Sequence, residues 1–597
     1  MDTHRFQVNL GGIISLLGEH LYSQPEVFLR ELLQNAVDAI RARERQEAVD
    51  EPQINFELIS GPGAPATLVV EDNGIGLSED GIHRFLATIG SSTKRTDDGL
   101  ASDDFIGRFG IGLLSCFIVA DEIVLVTRAV GATQSYEWRG QSDGTYTVQP
   151  TTARRTCGST VYLRCRPGSE SHFIADAVVK RLSEYGTLLP LPITFTAAGT
   201  SRRINAEAPP WLSVKADNSG TESLLAWARK TLGEDYSDAF PVRSAKLGYA
   251  GAAFLLPSGV SRHRGQAHRV YVKDMFLSER IDHLLPEWAY FIHVVVNSRQ
   301  VQPTASRESL REDAALEQLR DSLAEQIRSH LLMIAAKDHR RFNELVDNHH
   351  EGLRAIAAED DICCGVFAPR LPFETSHGSM TLREFREKHG LLRYVATVDE
   401  FRQLAALANA QGMPLINAGY VHGRDILERL PQADAEYVSE PVSGSTLCAA
   451  FDDVPLDDQE LCEELARIAN QVLAPNGCRV EVRSFAPEAL PALYHLSEDR
   501  RIQRRMERDA AQAKPLFASM MGKLASNRVQ ADLPLLILNY RNQPVRDLAR
   551  NPTAARQAVP MIYLQSLLMG HHPLSTPEND LLNTCLRSMI TLLSRSP

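Results

Sequence analysis

The feature that most restricts the fold of this chain is a series of three short motifs between residues 31 and 112. The first consists of Glu31, Asn35 and Asp38 in an otherwise apolar helical pattern. Spacings of four and three place these side chains on one face of a helix, where buried polar groups are costly unless they bind something. Taken alone, the motif is also typical of a capped or solvent-facing polar stripe.

Two glycine-containing motifs follow. The sequence 72–76, Asp-Asn-Gly-Ile-Gly, comes directly after an apolar strand pattern, and its glycines allow a tight turn and close approach of the backbone to a ligand. Gly107, Gly110, Ile111 and Gly112 belong to a GxxGxG loop that opens a helical pattern, an arrangement that holds phosphates on backbone N–H groups. Singly, these motifs are also typical of a plain β-turn and a glycine-rich helix entry. The dinucleotide GxGxxG and the P-loop sequence do not occur.

Length and composition limit the function classes. A chain of 597 residues, 44% hydrophobic and 23% charged, predicts three or four folded domains. The formal net charge of −12 argues against a chain whose main task is to bind nucleic acid. No long apolar run, signal design or CxxC pair is present, so we expect a cytoplasmic protein without a membrane anchor, disulfide framework or structural zinc site.

Changes in residue pattern along the chain predict three domains, at residues 1–205, 206–450 and 451–597. Strand patterns separated by glycine-rich turns fill 53–200 and favour a sandwich of one helical layer on a mostly antiparallel sheet. A proline-rich break at 208–211 ends this region, and mixed α/β patterns follow it. An acidic stretch at 451–458 precedes a mainly helical end. The pairs His349-His350 and His571-His572 are interpreted as surface-loop residues.

The order and spacing of the motifs resemble those of the Bergerat nucleotide-binding fold, with 158–163 at the position of that fold's Gly-Thr strand. The surrounding residues resemble one branch, the heat-shock protein 90 family of bacterial type. Its segments are similar to 22–39, 105–120, 269–276, 284–288 and 306–310, and more faintly to 535–539 and the last two helical patterns. The resemblance implies an α/β multidomain protein with an N-terminal Bergerat-fold ATPase domain, an α/β middle domain and a mainly helical C-terminal dimerisation domain.

The same resemblance implies ATP and Mg²⁺ as cofactors and a role for each matching residue. Glu31 would orient or deprotonate the attacking water, Asn35 would hold Mg²⁺, and Arg307 would reach the γ-phosphate from the middle domain. Asp72 would accept a hydrogen bond from the adenine amino group. The remaining residues of the implied ATP site are Asp38, Gly76, Gly107, Gly110, Ile111, Gly112 and Ser159.

The implied activity is that of an ATP-dependent chaperone. It would be a homodimer that acts as a clamp on client proteins, joined through its C-terminal helices, with Thr576 capping the last one. The resemblance implies no nucleic-acid or membrane partner, and the final Arg595-Ser596-Pro597 lacks an acidic tail for tetratricopeptide co-chaperones. Two alternatives remain at this point: a nucleotide-gated scaffold with weak hydrolysis, and a Bergerat-fold ATPase of the DNA-processing type.

Several positions depart from the family pattern. Arg108 stands where glutamine is usual, Ser159 replaces a threonine, and Arg311 replaces a glutamine that often follows the catalytic arginine. The lid segment, about 88–107, is short. These departures concern lid movement and coupling between domains more than nucleotide binding.

Overall fold

The computed structural model describes residues 25–86, 112–205, 208–212, 218–257, 268–304, 307–496 and 533–593. The chain divides into two compact units, residues 1–331 and 332–597. The lid segment, Gly107, Arg108, Gly110 and Ile111 lie outside the described residues, as do Ser306 and the chain terminus.

The first unit begins with an eight-stranded sheet in the order β5-β4-β3-β6-β2-β1-β7-β8. All neighbouring strands are antiparallel except β1 and β7, which confirms the predicted sandwich. The strands are β1 Ile54–Gly61, β2 Ala64–Asp72, β3 Glu122–Arg128, β4 Ser135–Gln141, β5 Tyr146–Thr151, β6 Gly158–Arg164, β7 Ile193–Ala197 and β8 Thr200–Arg203. The helices of this region are α1 Val27–Glu44, α2 Glu79–Phe85, the 3-10 helix Gly112–Ile118 and α3 Ala175–Gly186.

Helix α1 is buried over most of its circumference. Its apolar side chains, among them Phe28, Leu33 and Val37, pack into the core that the sheet and α3 share. Polar side chains of the same helix are also buried, including Glu31 and Asp38. Because buried polar groups need partners, the buried polar residues of this helix are candidates for a binding site.

A second sheet of the first unit has the order β12-β11-β13-β10-β9. Its strands are β9 Asp238–Ser244, β10 Tyr249–Leu255, β11 Arg269–Val272, β12 Met275–Ser278 and β13 Ile292–Ser298, accompanied by α4 Asn218–Thr231 and α5 Ala314–Lys337. Strand β12 also packs on the first layer: Met275 belongs to the core around α1, and the rings of Phe276 and Tyr185 lie 6.3 Å apart. Trp288 and Phe291 are buried, as expected for core aromatics.

The second unit contains two smaller sheets, ordered β15-β14-β17-β16-β18 and β19-β21-β20. Their strands are β14 Pro372–Thr375, β15 Gly378–Thr381, β16 Leu392–Val395, β17 Ile416–Asn417, β18 Ser439–Pro441, β19 Arg479–Arg483, β20 Ala492–His495 and β21 Leu535–Asn539. The helices are α6 His339–Glu359, α7 Asp361–Phe367, α8 Leu382–His389, α9 Val398–Ala410, α10 Gly423–Ala433, α11 Gly444–Ala449, α12 Gln459–Leu473, α13 Gln543–Ala549, α14 Pro552–Met569 and α15 Thr576–Leu593.

Two sequence interpretations in this unit are wrong. His349 is not a surface-loop residue, because it is buried at a kink inside α6. Thr576 does not cap α15 from outside, because the helix already includes it. The preceding Ser575 takes that position: its N–H and hydroxyl bond Glu578 Oε2 at 2.7 and 2.8 Å, and its carbonyl accepts from Asn579 N.

Candidate nucleotide site

One end of the candidate site is the turn that follows β2. Asp72 pairs with Ser159 of β6 across the sheet, and its Oδ1 accepts a hydrogen bond from Gly74 N at 2.8 Å. The turn is tied to α1 because Ile75 N donates to Ala39 O at 3.0 Å. These contacts hold the Asp72 carboxyl at a fixed place between the sheet and α1.

The glycines of this turn have a packing role that the sequence did not reveal. A Cβ on Gly74 would lie 2.5 Å from Ala39 Cβ. Gly76 has a φ of +62°, and a Cβ there would lie 2.0 Å from Arg128 O. Glycine is therefore required at both positions for close contact with α1 and with the end of β3.

A chain of hydroxyl groups continues the site from Asp72. Ser159 Oγ lies 3.0 Å from Thr127 Oγ1, which accepts from Leu77 N at 2.9 Å. Ser159, expected at the adenine end, is thus part of a network that also anchors the residue after the turn. Thr127 was not identified from the sequence, where it is one residue of an ordinary strand pattern.

Burial controls the charge of Asp72. It raises the pKa of this carboxyl to about 6, while the bond from Gly74, the positive charge of Arg154 and a bond from Ser159 act in the opposite direction. Arg154 Nη2 donates to Asp72 O at 2.7 Å, and Nη1 donates to Glu71 Oε1 at 3.0 Å. Arg154 also bonds the Thr160 hydroxyl. Its guanidinium is thus fixed by contacts with the end of β2 and the start of β6.

The other end of the site contains a buried salt bridge between residues far apart in sequence. Arg307 Nη1 lies 2.6 and 2.8 Å from the two carboxylate oxygens of Glu31. It also bonds the Gln34 side-chain oxygen one turn along α1. Arg307 lies in the loop after β13, at the left-handed φ of +57°, and is 8% exposed, against 2% for Glu31.

Arg30 completes this cluster. Its Nη1 donates to Arg307 O at 3.0 Å, and its Nε lies 3.4 Å from Glu31 Oε1. Arg30, Glu31 and Arg307 are all buried. Two guanidinium groups and one carboxylate therefore meet in a region largely removed from solvent.

Gly112, the last glycine of the GxxGxG motif, lies in the same corner. A Cβ on Gly112 would lie 2.5 Å from Glu31 Oε2, so the start of the 3-10 helix lies directly against the carboxylate. Cys116, four residues on, is fully buried, and burial with the nearby Glu31 charge raises the pKa of its thiol. Cys116 is therefore a small core residue.

Asn35 and Asp38 lie further along α1. Asn35 is exposed although its neighbours in the helix are buried, whereas Asp38 is buried. The structure thus brings Glu31, Gly112 and Arg307 together at one end of α1, and Asp72, Gly76 and Ser159 together at the strand ends beside Ala39.

Besides Thr127, three residues in these networks were missed by the sequence analysis. Arg30 and Gln34 occupy core-facing positions of α1, and a charged or polar residue at such a position was a usable signal. Arg154 lies in a loop whose pattern gave no such indication.

Comparison with known proteins gives two matches to family profiles. A family profile described as histidine kinase-, DNA gyrase B-, and HSP90-like ATPase matches residues 22–160. A second profile, described as Hsp90 protein, matches residues 258–399. The first unit therefore contains a nucleotide-binding domain of the Bergerat class.

Relatives extend the similarity along most of the chain. A protein named chaperone protein HtpG from Rhodopseudomonas palustris (strain BisA53) is 25% identical over 618 residues, with 96% of both chains covered. The protein of that name from Rhodococcus jostii (strain RHA1) is 26% identical, with 69% of each chain covered. The one from Streptomyces coelicolor is 28% identical over 55% of this chain and 57% of its own. Together with the two profile matches, these relatives show that the chain is similar to heat-shock protein 90 proteins along most of its length. None of the described helices is long and apolar enough to cross a membrane.

Proposed function

We propose that this protein is an ATP-dependent molecular chaperone in which hydrolysis requires the first sheet and the second sheet to act together. The observation that carries the proposal is the meeting of Arg307 with Glu31, across 276 positions of sequence, at the end of α1. The name chaperone, which the relatives bear, supports the cellular role.

Hydrolysis of ATP needs a positioned water and positive charge for the transferred phosphoryl group. Glu31 is the residue to orient or deprotonate the water, and Arg307 is the residue to bind the γ-phosphate oxygens. In the structure the two neutralise each other. A phosphate that attracts the Arg307 guanidinium would free the Glu31 carboxylate to accept a proton, and an arginine can bind phosphate oxygens through two hydrogen bonds.

Adenine recognition belongs to the Asp72 end. A carboxylate there accepts a hydrogen bond from an adenine amino group and would leave the carbonyl of guanine unpaired. Ser159 extends the polar network beside it. Asp38, Gly76, Gly107, Gly110, Ile111 and Gly112 are proposed to line the rest of the ATP site.

The side chains fit magnesium in one respect. Asn35 is an exposed amide on an otherwise buried helix, one turn from Glu31, and Mg²⁺ prefers oxygen ligands while keeping phosphates and waters in its shell. Bound Mg²⁺ would bridge phosphate oxygens and neutralise their charge. Asn35 is the residue proposed to hold it.

We further propose a homodimer through α15 that acts on client proteins in the cytoplasm. Helix α14 packs within its own unit, and Cys585 of α15 belongs to the same core. Leu586, Met589 and Ile590 on α15 are 44%, 46% and 66% exposed, which leaves an apolar stripe at the helix surface. Contact between two such stripes across a two-fold axis is a common way to bury them.

Steady-state turnover of ATP by the purified full-length chain tests the proposal, together with suppression of aggregation of a chemically denatured protein. We expect turnover that requires Mg²⁺ and aggregation suppression that changes when ATP is added. A chain that binds ATP without turning it over would overturn the catalytic assignment. Suppression that is indifferent to nucleotide would overturn the coupling.

A second function is favoured by one observation. Because the Glu31 carboxylate is paired with Arg307, a protein in this conformation would hydrolyse ATP slowly. A nucleotide-gated binding scaffold with weak hydrolysis is therefore the alternative. It predicts high ATP affinity, nucleotide-dependent partner binding and turnover that Glu31→Ala barely lowers.

A further inference from the structure

A second salt bridge joins α1 to the second sheet, away from the proposed catalytic residues. Arg41 Nη2 lies 3.1 Å from Asp274 Oδ2, and the two side chains are 21% and 14% exposed. Arg41 lies on α1, and Asp274 lies in the tight turn between β11 and β12. Fully exposed pairs contribute little, but this pair is mostly removed from solvent.

Asn297 of β13 fixes the direction of the Asp274 carboxylate. Its Nδ2 donates to Asp274 Oδ1 at 2.6 Å, and its Oδ1 accepts from Asp274 N at 2.9 Å. Lys273 and Asp274 both have positive φ, +52° and +72°, a backbone geometry in which the short polar side chain of aspartate is favoured. One carboxylate oxygen is thus bound by its own sheet, and the other faces Arg41.

The loop that follows the same strand carries Arg307. Strand β13 ends at Ser298, and the loop after it is closed by its own backbone bonds: Arg311 N donates to Gln302 O at 2.8 Å, and Arg307 N donates to Thr304 O at 3.1 Å. The Asp274 turn is therefore bonded to β13, and the Arg307 loop follows the same strand.

Helix α1 contacts both the Arg307 loop and the Asp274 turn. Glu31 contacts Arg307, and Arg41, ten residues later, contacts Asp274, which is a separation of about 15 Å along a helix. One contact between two rigid elements fixes a distance, whereas two contacts also restrict rotation. The Arg41 contact therefore constrains the angle at which the second sheet presents Arg307.

We propose that Arg41 and Asp274 are positioning residues for the catalytic arginine, and that their salt bridge selects the orientation in which Arg307 reaches the end of α1. This inference rests on the proposed function. Neither residue is among those proposed to contact the nucleotide, so both would act only through Arg307.

The test uses the full-length chain and measures turnover and ATP affinity separately. Asp274→Asn keeps a residue that tolerates the turn and removes the charge. We expect kcat to fall about five- to twentyfold, in the range of ordinary coupling between sites, while the Kd for ATP stays unchanged. Arg41→Glu should lower kcat further, and adding Asp274→Lys should restore most of that loss. The control is Arg229→Ala, which removes an exposed pair with Asp235 beside the second sheet.

A double-variant cycle decides whether the effect passes through Arg307. In the Arg307→Ala background, Asp274→Asn should lower kcat no further, because the orientation of an absent guanidinium has no effect. An additional loss there, a parallel loss of ATP affinity, or unchanged turnover in Asp274→Asn would each overturn the inference. If the unmodified chain binds ATP and does not hydrolyse it, the proposed function itself fails, and the variants are not needed to show it.

Discussion

The two ends of the candidate nucleotide site are built differently. Asp72 obtains its contacts from strands of one sheet, the loop that carries Arg154, and the adjoining turn. Glu31 obtains its strongest partner, Arg307, from a loop of the second sheet. The first end is complete within one layer of the fold, and the second is complete only when two layers meet.

This difference means that affinity and turnover should respond to different changes. Substitutions at the Asp72 end should alter the binding of adenine nucleotides, whereas substitutions at the Glu31 end should alter kcat. A variant that lowers ATP affinity and kcat equally would contradict this division of roles, and variants that change only one of the two would support it.

The largest effect is expected from Glu31→Ala. Loss of a group that activates water should lower kcat by at least about 1,000-fold, while ATP affinity remains close to that of the unmodified chain. Glu31→Gln is the matched variant, since it keeps the shape and can still bond Arg307. Single-turnover kinetics with calorimetry checks the prediction, and a comparable loss of binding would contradict the role.

Arg307→Ala should have the next largest effect. Removing one preorganised donor to the transferred phosphate should lower kcat about 100-fold, with little change in the Kd for ATP. Arg299→Ala, an exposed arginine just after β13, serves as the control. Turnover that persists in Arg307→Ala would mean that another group, with Arg30 the nearest candidate, stabilises the phosphate.

Asp72→Asn should act on affinity. The amide presents a donor where an acceptor is needed, and a buried mismatch of this kind should weaken ATP binding about 10- to 100-fold. Titration calorimetry measures it directly. Because Asp72 is ionised at neutral pH only against the cost of burial, the same variant should not lower the free energy of unfolding at pH 7.

The pH dependence of stability follows from the sign of the Asp72 shift. The folded pKa, about 6, lies above the ordinary value of 3.8. Between these values the folded chain binds more protons than the unfolded chain, so this carboxyl destabilises the fold increasingly as pH rises from 3.8 to 6, by about 3 kcal/mol in total. Chemical unfolding of the wild type and Asp72→Asn across that range should show the gap widening in favour of the variant.

The pH dependence of binding should run in the other direction. Below pH 6 the protonated Asp72 is a poorer acceptor, so ATP affinity should fall about tenfold over one to two pH units. Arg154→Ala should move this transition to higher pH, because it removes a positive charge that favours the ionised form. The ratio of wild-type to Asp72→Asn affinity cancels the titration of ATP itself. A ratio that stays constant from pH 5 to pH 8 would remove Asp72 from the adenine contact.

What could be predicted from sequence follows the same division. The Asp72 turn could be predicted because its signal is local: an apolar strand pattern is followed at once by an aspartate and two glycines, although the packing of those glycines on α1 and β3 could not be predicted. The residues of the Glu31 corner were named through family resemblance, but their meeting depends on the packing of two sheets, which no local spacing encodes. Arg154 and the Arg41–Asp274 pair were missed because each joins segments at least 80 positions apart.

The smallest effect on the nucleotide site is expected from the far end of the chain. Adding charge to the apolar stripe of α15, by Met589→Glu with Ile590→Glu, should prevent the proposed two-fold contact, because two such faces cannot bury like charges against each other. Ser588→Glu, on the opposite side of the helix, is the matched control. Light scattering should show a 66.2 kDa monomer for the double variant and twice that mass for the control. Turnover should fall only several-fold and ATP affinity should not change, since neither end of the site includes α15. If the unmodified chain is already monomeric at micromolar concentration, the clamp loses its proposed hinge, while the predictions for Asp72 and Glu31 stand.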